Sequence, residues 1–361
     1  MNDKVTLMKG NEALAMAMIR YGADGYFGYP ITPQSEVLEK LEEEMPWETT
    51  GMVVLQAESE VAAINMVYGG AMTGKAVCTS TSSPGFSLMQ EGVSYLAASE
   101  VPALLINVQR GGPGLGTIHA SQADYFQACK GGGHGDYHMI VLAPSSVQEM
   151  ADMVALGFDL AFKYRCVSMI LADGTIGQLM EKVVLPEQRP RRTDDEIRQQ
   201  CPWAVNGRKG MRPSNVVTSL ELDDDKMEEN NWRFQACYRE IEKNETRCEL
   251  IDVEDCDYLI TAFGTTARIA MKTMELARAE GIKVGMFRPI TLWPFPEKQL
   301  REAAAKVKGI LCVELNAGQM VEDVKLAVEC KMPVEHYGRF GGNVPTPDEL
   351  LNVLKEKLIN K

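Results

Sequence analysis

The sequence predicts an α/β protein with two doubly wound domains, in which mostly parallel strands are covered by helices on both faces. Strand-like and helix-like segments alternate from residue 10 to residue 185, a rhythm typical of parallel sheets with crossover helices. The same alternation resumes after residue 251. Residues 191–250 lie between and are polar, charged and punctuated by Pro, Gly and Asn, so we interpret them as a surface excursion and linker.

The first predicted domain covers residues 1–190, and each of its elements follows from the spacing of apolar residues. Strands are predicted at GYFGY, GMVVLQA, KAVCTSTSS, VPALLINVQ, HMIVLAP and VSMILAD. Helices are predicted at NEALAMAMIRYG, SEVLEKLEEEM, SEVAAINMVYGGAM, PGFSLMQEGVSYLAASE and SSVQEMADMVALGFDLAFKY. Gly22 ends the first of these helices.

The second predicted domain covers residues 251–361 and is smaller. Its strands are predicted at DYLITAFG, KVGMFRPI, GILCVELN and PVEHYGRF. Its helices are predicted at TARIAMKTMELARAEG, FPEKQLREAAAKVKG and GQMVEDVKLAVE. Within the linker, QACYREIEKNE is predicted to form a helix, whereas ELDDDKMEEN is assigned to the surface excursion.

Composition and charge exclude several classes of protein. The net charge of −13 and a sequence pI of about 5.0 predict no basic face for nucleic acid. The nine cysteines include no CxxC pair, which argues against a disulfide framework and against a zinc or iron–sulfur site within this chain. No apolar run approaches the roughly 20 residues that span a bilayer, and MNDKVTLMKGNEA lacks the apolar region of a signal peptide. We therefore expect a cytoplasmic protein that binds no membrane.

Ligands of parallel α/β sheets bind at the carboxyl ends of the strands, so the strand-to-helix loops are the candidate sites. The first such loop is YPITP, in which Pro30 and Pro33 stiffen the backbone around Thr32. Its hydroxyl can donate and accept hydrogen bonds to a ligand. Alternatively, Thr32 or Ser35 caps the helix that follows, and composition by itself favours this alternative.

The second and third loops carry carboxylates and hydroxyls. QAESEVAA places Glu58 and Glu60 where a strand becomes a helix. Such a carboxylate either compensates the helix dipole or is a buried acid that hydrogen-bonds a ligand nitrogen. STSSPGFS places hydroxyls and a Pro-Gly turn before a helix, which suits an anion cradle or an ordinary capped turn.

The fourth loop, NVQRGGPGLG, leads Arg110 from a buried strand into a glycine-rich segment. An arginine at the end of a strand can hold a carboxylate by a two-pronged contact, and the glycines allow a ligand to approach the backbone closely. GPGLG matches the dinucleotide-binding fingerprint only in part, because Pro113 interrupts it and no acidic residue follows a next strand about 20 residues on. Nucleotide binding is therefore discounted.

Two further segments invite a metal interpretation. GGGHGD, residues 131–136, lies between His119 and His138 but has no carboxylate or cysteine at zinc-ligand spacing, so no metal ligand is assigned and His134 is left without a role. ADG at 172–174 is similar to the first half of a diphosphate–magnesium signature, but Asn206, at the expected distance, lies in a polar, Gly-rich region. A complete diphosphate–metal site is not expected within this chain.

Taken together and in this order, GYPITPQSE, QAESEVAA, TSSPGFSLMQEG and NVQRGGPGLG resemble the alpha subunit of the thiamine diphosphate-dependent 2-oxoacid:ferredoxin oxidoreductases. Residues 10–240 look like the pyrimidine-binding domain of that family. Residues 251–355, with FRPITLWPFP and VELNAGQM, look like its second domain, which is similar to the transketolase C-terminal domain. QADYFQACKGGGHGDY and LAPSSVQEM look most similar to the branched-chain member, which acts on 3-methyl-2-oxobutanoate, with the 2-oxoglutarate member as the nearest rival.

The resemblance implies a role for each loop. Glu60, rather than Glu58, matches the family glutamate that contacts N1′ of the aminopyrimidine and shares a proton with it. Thr32 matches the threonine that faces the substrate, and Arg110 matches the arginine that binds the substrate carboxylate. Further cofactor contacts are expected at Pro30, Ser83, Pro84 and Gly85.

The resemblance also implies that this chain is one subunit of a hetero-oligomer. A beta subunit would carry the diphosphate site with Mg²⁺ and an iron–sulfur cluster, a delta subunit would be ferredoxin-like, and a gamma subunit would complete the complex. The implied reaction is CoA-dependent oxidative decarboxylation of a 2-oxoacid with reduction of ferredoxin. Two alternatives stay open, namely a transketolase-like or decarboxylase half that does not use ferredoxin, and a non-catalytic assembly subunit.

Overall fold

The computed structural model describes residues 5–208, 210 and 212–360. Its strands are β1 (Val5–Lys9), β2 (Gly25–Gly28), β3 (Val53–Gln56), β4 (Val77–Thr81), β5 (Ala103–Gln109), β6 (Ile140–Leu142), β7 (Val167–Asp173), β8 (Met180–Val184), β9 (Cys248–Ile251), β10 (Tyr258–Thr261), β11 (Val284–Pro289), β12 (Thr291–Trp293), β13 (Gly309–Glu314) and β14 (Val334–Gly338). Its helices are α1 (Gly10–Tyr21), α2 (Ser35–Glu44), α3 (Pro46–Thr49), α4 (Glu60–Met72), α5 (Ser83–Ala98), α6 (Tyr125–Cys129), α7 (Val147–Tyr164), α8 (Gly174–Gln178), α9 (Asp194–Gln200), α10 (Asp224–Asn244), α11 (Gly264–Ala279), α12 (Glu297–Ala304), α13 (Met320–Ala327) and α14 (Pro347–Leu354).

The larger sheet has seven strands in the order β12-β6-β7-β5-β4-β2-β3. Neighbouring strands are parallel except for the β12–β6 pair. Every residue of β5 is buried, as expected for a central parallel strand with both faces covered. The prediction of a mostly parallel α/β sheet is confirmed for the first half of the chain.

The smaller sheet has five strands in the order β14-β13-β10-β11-β9, of which only β9 runs antiparallel to its neighbour. Buried residues of β10, β11 and β13 form an apolar core with α11 and α14. Because β9 begins at Cys248, this sheet starts within the residues that the sequence assigns to the linker. The prediction of a second α/β unit is confirmed.

The two sheets are joined by shared elements. Strand β12 follows β11 in the chain but pairs antiparallel with β6, so it completes the larger sheet. Nearby, Arg288 of β11 is only 4% exposed and donates hydrogen bonds to Glu149 of α7 at 2.7 and 3.0 Å and to Glu249 of β9 at 2.7 Å. The division into domains at residues 190 and 250 stays a prediction, since a strand from the second half lies in the first sheet.

The interpretation of residues 191–250 as mainly an excursion underestimates their regular structure. Helix α10 contains the predicted QACYREIEKNE helix and also most of ELDDDKMEEN. Phe234, Tyr238 and Ile241 on α10 are buried, and this spacing of three to four residues forms one apolar stripe on an otherwise polar helix. Strands β1 and β8, which pair antiparallel with each other, are also additional to the predicted strands.

The structure describes the cysteines, the potential metal ligands and the helices on which the composition made predictions. All nine cysteines lie within the described residues and are unpaired. No group of three or more His, Cys, Asp and Glu side chains in that part of the chain could hold a metal ion. None of the helices in the described ranges is both long enough and apolar enough to cross a membrane.

Candidate active site

Four strand-to-helix loops meet at one edge of the larger sheet. Strands β3, β2, β4 and β5 are consecutive parallel neighbours, so their carboxyl ends lie along the same edge. The loops after these strands lead to Glu60, Thr32, Ser83 and Arg110, respectively. The fold therefore brings to one edge the candidate residues that occur in four separate sequence motifs.

Glu60 is the buried member of the Glu58 and Glu60 pair. It is the first residue of α4 and is 6% exposed, whereas Glu58 is exposed. Ser59 caps the helix by accepting a hydrogen bond from Ala62 N at 3.2 Å. Within the described residues, the Glu60 carboxylate has no hydrogen-bond or ion-pair partner. Its two oxygens are not among the fully buried atoms that lack a hydrogen-bond partner in the described chain, so they keep some contact with solvent and are open to a ligand.

The space beside this carboxylate depends on a glycine. A Cβ atom added at Gly85, in the first turn of α5, would lie 2.6 Å from Glu60 Oε1 and 2.8 Å from Glu60 Cγ. The hydroxyls of Thr81 and Ser82 are buried nearby in sequence, and neither has a hydrogen-bond partner in the described chain. Glu60, Thr81, Ser82 and Gly85 thus form a small cradle with unused hydrogen-bonding capacity.

Close packing of two helices positions this cradle. A Cβ atom added at Gly92 of α5 would lie 2.6 Å from Ile64 Cγ2 of α4, so the missing side chain lets the two helices approach each other. Their amino ends carry Glu60 and Gly85, respectively. The small residues that the sequence shows in these helices therefore help to hold the carboxylate against the first turn of α5.

Arg110 directly follows β5 and is 9% exposed. Its Nη1 donates to the carbonyl oxygen of Thr32 at 2.9 Å, and its Nη2 donates to the carbonyl oxygen of Leu115 at 3.1 Å. Its Nε is buried and unpartnered, and no ion pair with a carboxylate is found for it among the residues described. Because only neutral carbonyls contact the guanidinium, its charge is available to an anionic ligand.

Thr32 lies beside Arg110 and is exposed. It lines a cavity of about 630 Å³ whose wall also includes Pro33, Ile118 and His119. The prediction that Thr32 or Ser35 caps α2 is wrong, because Gln34 occupies the N-cap position and no side chain caps this helix. The Thr32 side chain therefore does not cap the helix.

Asp124 is a residue of this edge that no sequence motif indicates. Its Oδ2 accepts hydrogen bonds from Ser83 Oγ at 2.6 Å and from Asn107 Nδ2 at 2.9 Å, and Ser83 Oγ accepts one from Arg110 N at 3.0 Å. Burial raises the pKa of Asp124, although the hydrogen bonds from Ser83 and Asn107 oppose this rise. Ser83 and Asp124 are 41 residues apart, so no local pattern signals that they help to hold Arg110.

The ADG segment links the two sheets. Asp173 is buried and accepts hydrogen bonds from Thr265 Oγ1 at 2.6 Å and from Thr265 N at 2.8 Å. It also accepts hydrogen bonds from the backbone of Thr175 and Ile176. Burial raises the pKa of Asp173, and hydrogen bonds led by those of Thr265 oppose this rise. With four donors already bound, this carboxylate has a structural role.

The histidines of the GGGHGD region are separated in space and in environment. His134 is exposed, whereas His138 stacks on Trp293 with ring centroids 4.5 Å apart and an interplanar angle of 8°. Burial lowers the pKa of His138 from its usual 6.5, although a hydrogen bond involving Cys129 opposes this shift. His119 instead borders the cavity next to Thr32.

Two family models match the chain. The model described as "Pyruvate flavodoxin/ferredoxin oxidoreductase, thiamine diP-bdg" matches residues 16–244, and the model described as "Pyruvate:ferredoxin oxidoreductase core domain II" matches residues 256–350. The first match includes all four loops at the edge of the larger sheet. The second match covers most of the smaller sheet.

Individual relatives agree with these models. The chain is 47% identical, over 97% of both chains, to the ketoisovalerate oxidoreductase subunit VorB of Methanothermobacter marburgensis. It is 35% identical to the 2-oxoglutarate synthase subunit KorA of the same organism, covering 96% of this chain and 97% of that protein.

Solved structures extend the comparison. The 2-oxoglutarate:ferredoxin oxidoreductase from Magnetococcus marinus matches with a TM-score of 0.81 and 28% identity over 98% of this chain, which spans only 65% of that one. A split-gene transketolase, 13% identical with a TM-score of 0.60 over 97% of this chain and 98% of that one, shares the fold alone. The chain therefore belongs to the 2-oxoacid:ferredoxin oxidoreductase family and is an alpha-type subunit with a thiamine diphosphate-binding domain and a core domain II, as the resemblance of its motifs predicted.

Proposed function

We propose that this chain supplies one half of the active site of an oxidoreductase that acts on 3-methyl-2-oxobutanoate. The observation that carries the proposal is the pair formed by Glu60 and Arg110, which are buried at the carboxyl edge of the larger sheet and lack ionic partners in the described ranges. The reaction converts the 2-oxoacid and CoA to acyl-CoA, CO₂ and one proton, with two electrons passed to ferredoxin. The chain is not active alone.

The cradle at Glu60 fits the aminopyrimidine part of thiamine diphosphate. That cofactor, when bound, supplies a nucleophilic carbon for the 2-oxoacid carbonyl and takes up the electrons left by the loss of CO₂. Glu60 would share a proton with a pyrimidine nitrogen, because no group in the described part of its own chain competes for the carboxylate. The unpartnered hydroxyls of Thr81 and Ser82 and the space at Gly85 support this assignment. Further contacts are proposed at Pro30, Ser83 and Pro84.

Arg110 and Thr32 would hold the substrate. A 2-oxoacid always carries a carboxylate, and a buried guanidinium forms strong charge-assisted hydrogen bonds to such a group. The Nη1 contact to the Thr32 carbonyl keeps the Thr32 hydroxyl close to the guanidinium. Asp124 acts through Ser83 and is proposed as a positioning residue for Arg110.

The other half of the site would come from a partner subunit. Val61, in the first turn of α4, and Leu88, in the second turn of α5, are 44% and 55% exposed, and exposed apolar side chains on the two helices that carry the cradle support a surface that a partner covers. The relatives are themselves named as subunits, which supports a hetero-oligomer. We propose that a beta subunit provides the diphosphate site with Mg²⁺ and an iron–sulfur cluster, and that gamma and ferredoxin-like delta subunits complete a cytoplasmic complex.

The proposed substrate, 3-methyl-2-oxobutanoate, rests on the relatives, and 2-oxoglutarate is the alternative. Identity is 47% to a ketoisovalerate oxidoreductase subunit and 35% to a 2-oxoglutarate synthase subunit, which supports the branched-chain substrate. The solved relative that is 28% identical contains 2-oxoglutarate, so 2-oxoglutarate is the second candidate. Comparing kcat/KM for these two substrates and pyruvate decides between them.

The assignment of Glu60 is tested by Glu60→Gln in the complete complex, with Glu58→Gln as the matched control. We expect Glu60→Gln to abolish 2-oxoacid-dependent reduction of a viologen dye while the subunits still assemble, because an amide cannot exchange the proton. Glu58→Gln should keep normal activity, since that side chain is exposed. Near-normal turnover by Glu60→Gln would refute the assignment, and release of CO₂ from the 2-oxoacid without reduction of the dye would favour the decarboxylase alternative.

A further inference from the structure

The cavity beside Thr32 is lined by apolar, polar and charged side chains. Four of the nine side chains around its volume of about 630 Å³ are apolar, five are polar or charged, and Glu36 is the only carboxylate among the described residues that line it. The apolar part of the wall comprises Pro33, Ile118, Ala120 and Leu179. The cavity therefore suits an uncharged group more than an anionic one.

Ile118 lies in a loop that hydrogen bonds hold near Thr32. Arg110 donates to the carbonyl oxygens of Thr32 and Leu115, so one guanidinium joins the YPITP loop to the loop that carries Ile118, although neither Arg110 nor Leu115 is part of the cavity wall. The loop between them closes on itself, because Gly111 N donates to the carbonyl oxygen of His119 at 3.0 Å. The side chain of Ile118 is 55% exposed and is free to contact a bound molecule.

Glu36 is held as a carboxylate by a fixed set of donors. Its Oε2 accepts a hydrogen bond from Asn11 Nδ2 at 2.9 Å, and its Oε1 accepts one from Gln178 Nε2 at 2.7 Å. Lys9 Nζ lies 3.3 Å from Oε1 but is not part of the cavity wall. Partial burial acts to raise the pKa of Glu36, but the hydrogen bonds from Gln178, Asn11 and Lys9 outweigh it and lower the pKa.

The same donors also connect the Glu36 carboxylate to the YPITP loop, which contains Thr32. Asn11 Nδ2 and Gln178 Nε2 both donate to the carbonyl oxygen of Pro33 as well, at 2.6 and 3.0 Å. Pro33 directly follows Thr32, so Glu36 has a defined position relative to the residue that would face the reacting carbonyl. Lys9 Nζ offsets part of the negative charge of Glu36, but Glu36 lines the cavity and Lys9 does not. The carboxylate therefore repels a second carboxylate on the substrate and leaves an apolar side chain unaffected.

We propose that this cavity is the subsite for the side chain of the 2-oxoacid, where Ile118 binds a branched apolar group and Glu36 rejects a substrate with a second carboxylate. The inference rests on the proposed function and deepens it by assigning the substrate class to particular residues. It also gives Glu36, which a sequence pattern would treat as a favourable charge in the first turn of α2, a second role in specificity.

The test measures kcat/KM for 3-methyl-2-oxobutanoate, 2-oxoglutarate and pyruvate with the complete complex carrying Glu36→Gln or Ile118→Ala. Glu36→Gln should raise the 2-oxoglutarate to 3-methyl-2-oxobutanoate ratio about tenfold, mainly through a lower KM for 2-oxoglutarate, as expected for loss of one nearby like charge. Ile118→Ala should lower kcat/KM for 3-methyl-2-oxobutanoate relative to pyruvate by about tenfold, because apolar contact with the branched group is lost.

Two control variants test whether these effects are specific to the cavity beside Thr32. Glu42→Gln removes the same charge from an exposed position on α2 that does not line the cavity and should leave the ratios unchanged. Phe340→Ala alters a second cavity of about 410 Å³, which, unlike the cavity beside Thr32, is lined by Arg110, and should likewise leave them unchanged.

The outcomes distinguish this inference from the proposed function. If the unsubstituted complex reduces the dye with none of the three 2-oxoacids, the proposed function is wrong. If it is active but neither Glu36→Gln nor Ile118→Ala changes the ratios, the subsite assignment is wrong while the function stands. A changed ratio with Phe340→Ala alone would move the side-chain subsite to the second cavity and overturn the inference.

Discussion

Gly85→Ala tests whether the space beside Glu60 is required for catalysis. The added Cβ atom would clash with Thr81 Oγ1 and would lie 2.6 Å from Glu60 Oε1 and 2.8 Å from Glu60 Cγ. Ordinary contacts between such atoms are about 3.5 Å, so the Thr81 hydroxyl and the Glu60 carboxylate both have to move by about 1 Å or the first turn of α5 has to shift. The helix itself tolerates alanine well, and the substitution therefore acts on the positions of Glu60 and Thr81 together.

The expected effect follows from that displacement. Misplacement of a catalytic group by about 1 Å costs on the order of 10²-fold in rate, and we expect kcat to fall by about that factor. Overpacking at a buried position costs roughly 1–3 kcal/mol of unfolding free energy, and we expect a cost within this range because the buried, β-branched Thr81 has to give way as well as Glu60. Thiamine diphosphate affinity should also fall, since the cradle is narrowed.

The assay combines viologen reduction by the reconstituted complex with calorimetric titration of thiamine diphosphate and urea denaturation. Gly69→Ala is the matched control, because it lies on α4 and a Cβ atom there would have no neighbour within 4 Å. This control should keep full activity and gain about 0.5–1 kcal/mol of stability from helix propensity. Normal kcat in Gly85→Ala would refute the claim that the cradle positions Glu60.

Two further predictions concern stability. Burial lowers the pKa of His138 from 6.5, so the unfolded chain binds this proton at a higher pH than the folded chain does. The free energy of unfolding therefore falls as the pH drops below about 6.5, by at most about 1.4 kcal/mol per pH unit. His138→Phe should flatten that dependence in urea titrations followed by Trp293 fluorescence, and an unchanged slope would contradict it. Arg288→Met leaves Glu149 and Glu249 without their buried cation and should cost about 3 kcal/mol. A double variant with Glu149→Met should cost less than the sum of the single variants, and additivity would argue against this coupling.

The parts of the fold that the sequence predicts correctly are those in which local pattern and tertiary environment agree. VPALLINVQ reads as a buried strand because β5 is buried along its whole length and five of its seven residues are apolar, the exceptions being Asn107 and Gln109. The four candidate loops follow from a single rule, since ligands of parallel sheets bind at the strand carboxyl ends. The burial of Glu60 and the exposure of Glu58 also agree with the motif, which favours Glu60.

The features that the sequence does not predict depend on contacts between distant segments. Strand β12 has three residues and pairs with β6, although no local pattern distinguishes it from a loop. The prolines in YPITP favour capping by Thr32 or Ser35, yet the helix begins without a side-chain cap, because that loop is held by Asn11, Gln178 and Arg110 instead. Such bonds join residues that one sequence cannot pair.

The distribution of hydrogen-bond partners separates structural charges from those of the site. Asp173 is buried with four donors, and Arg288 is buried with two carboxylates, so both are satisfied within the fold. Glu60 has no hydrogen-bond or ion-pair partner in the described chain, and Arg110 donates only to two neutral carbonyls while its Nε has no partner. Neither charge therefore has a partner of opposite sign within the described fold. This absence supports the proposal that the chain supplies one half of a site.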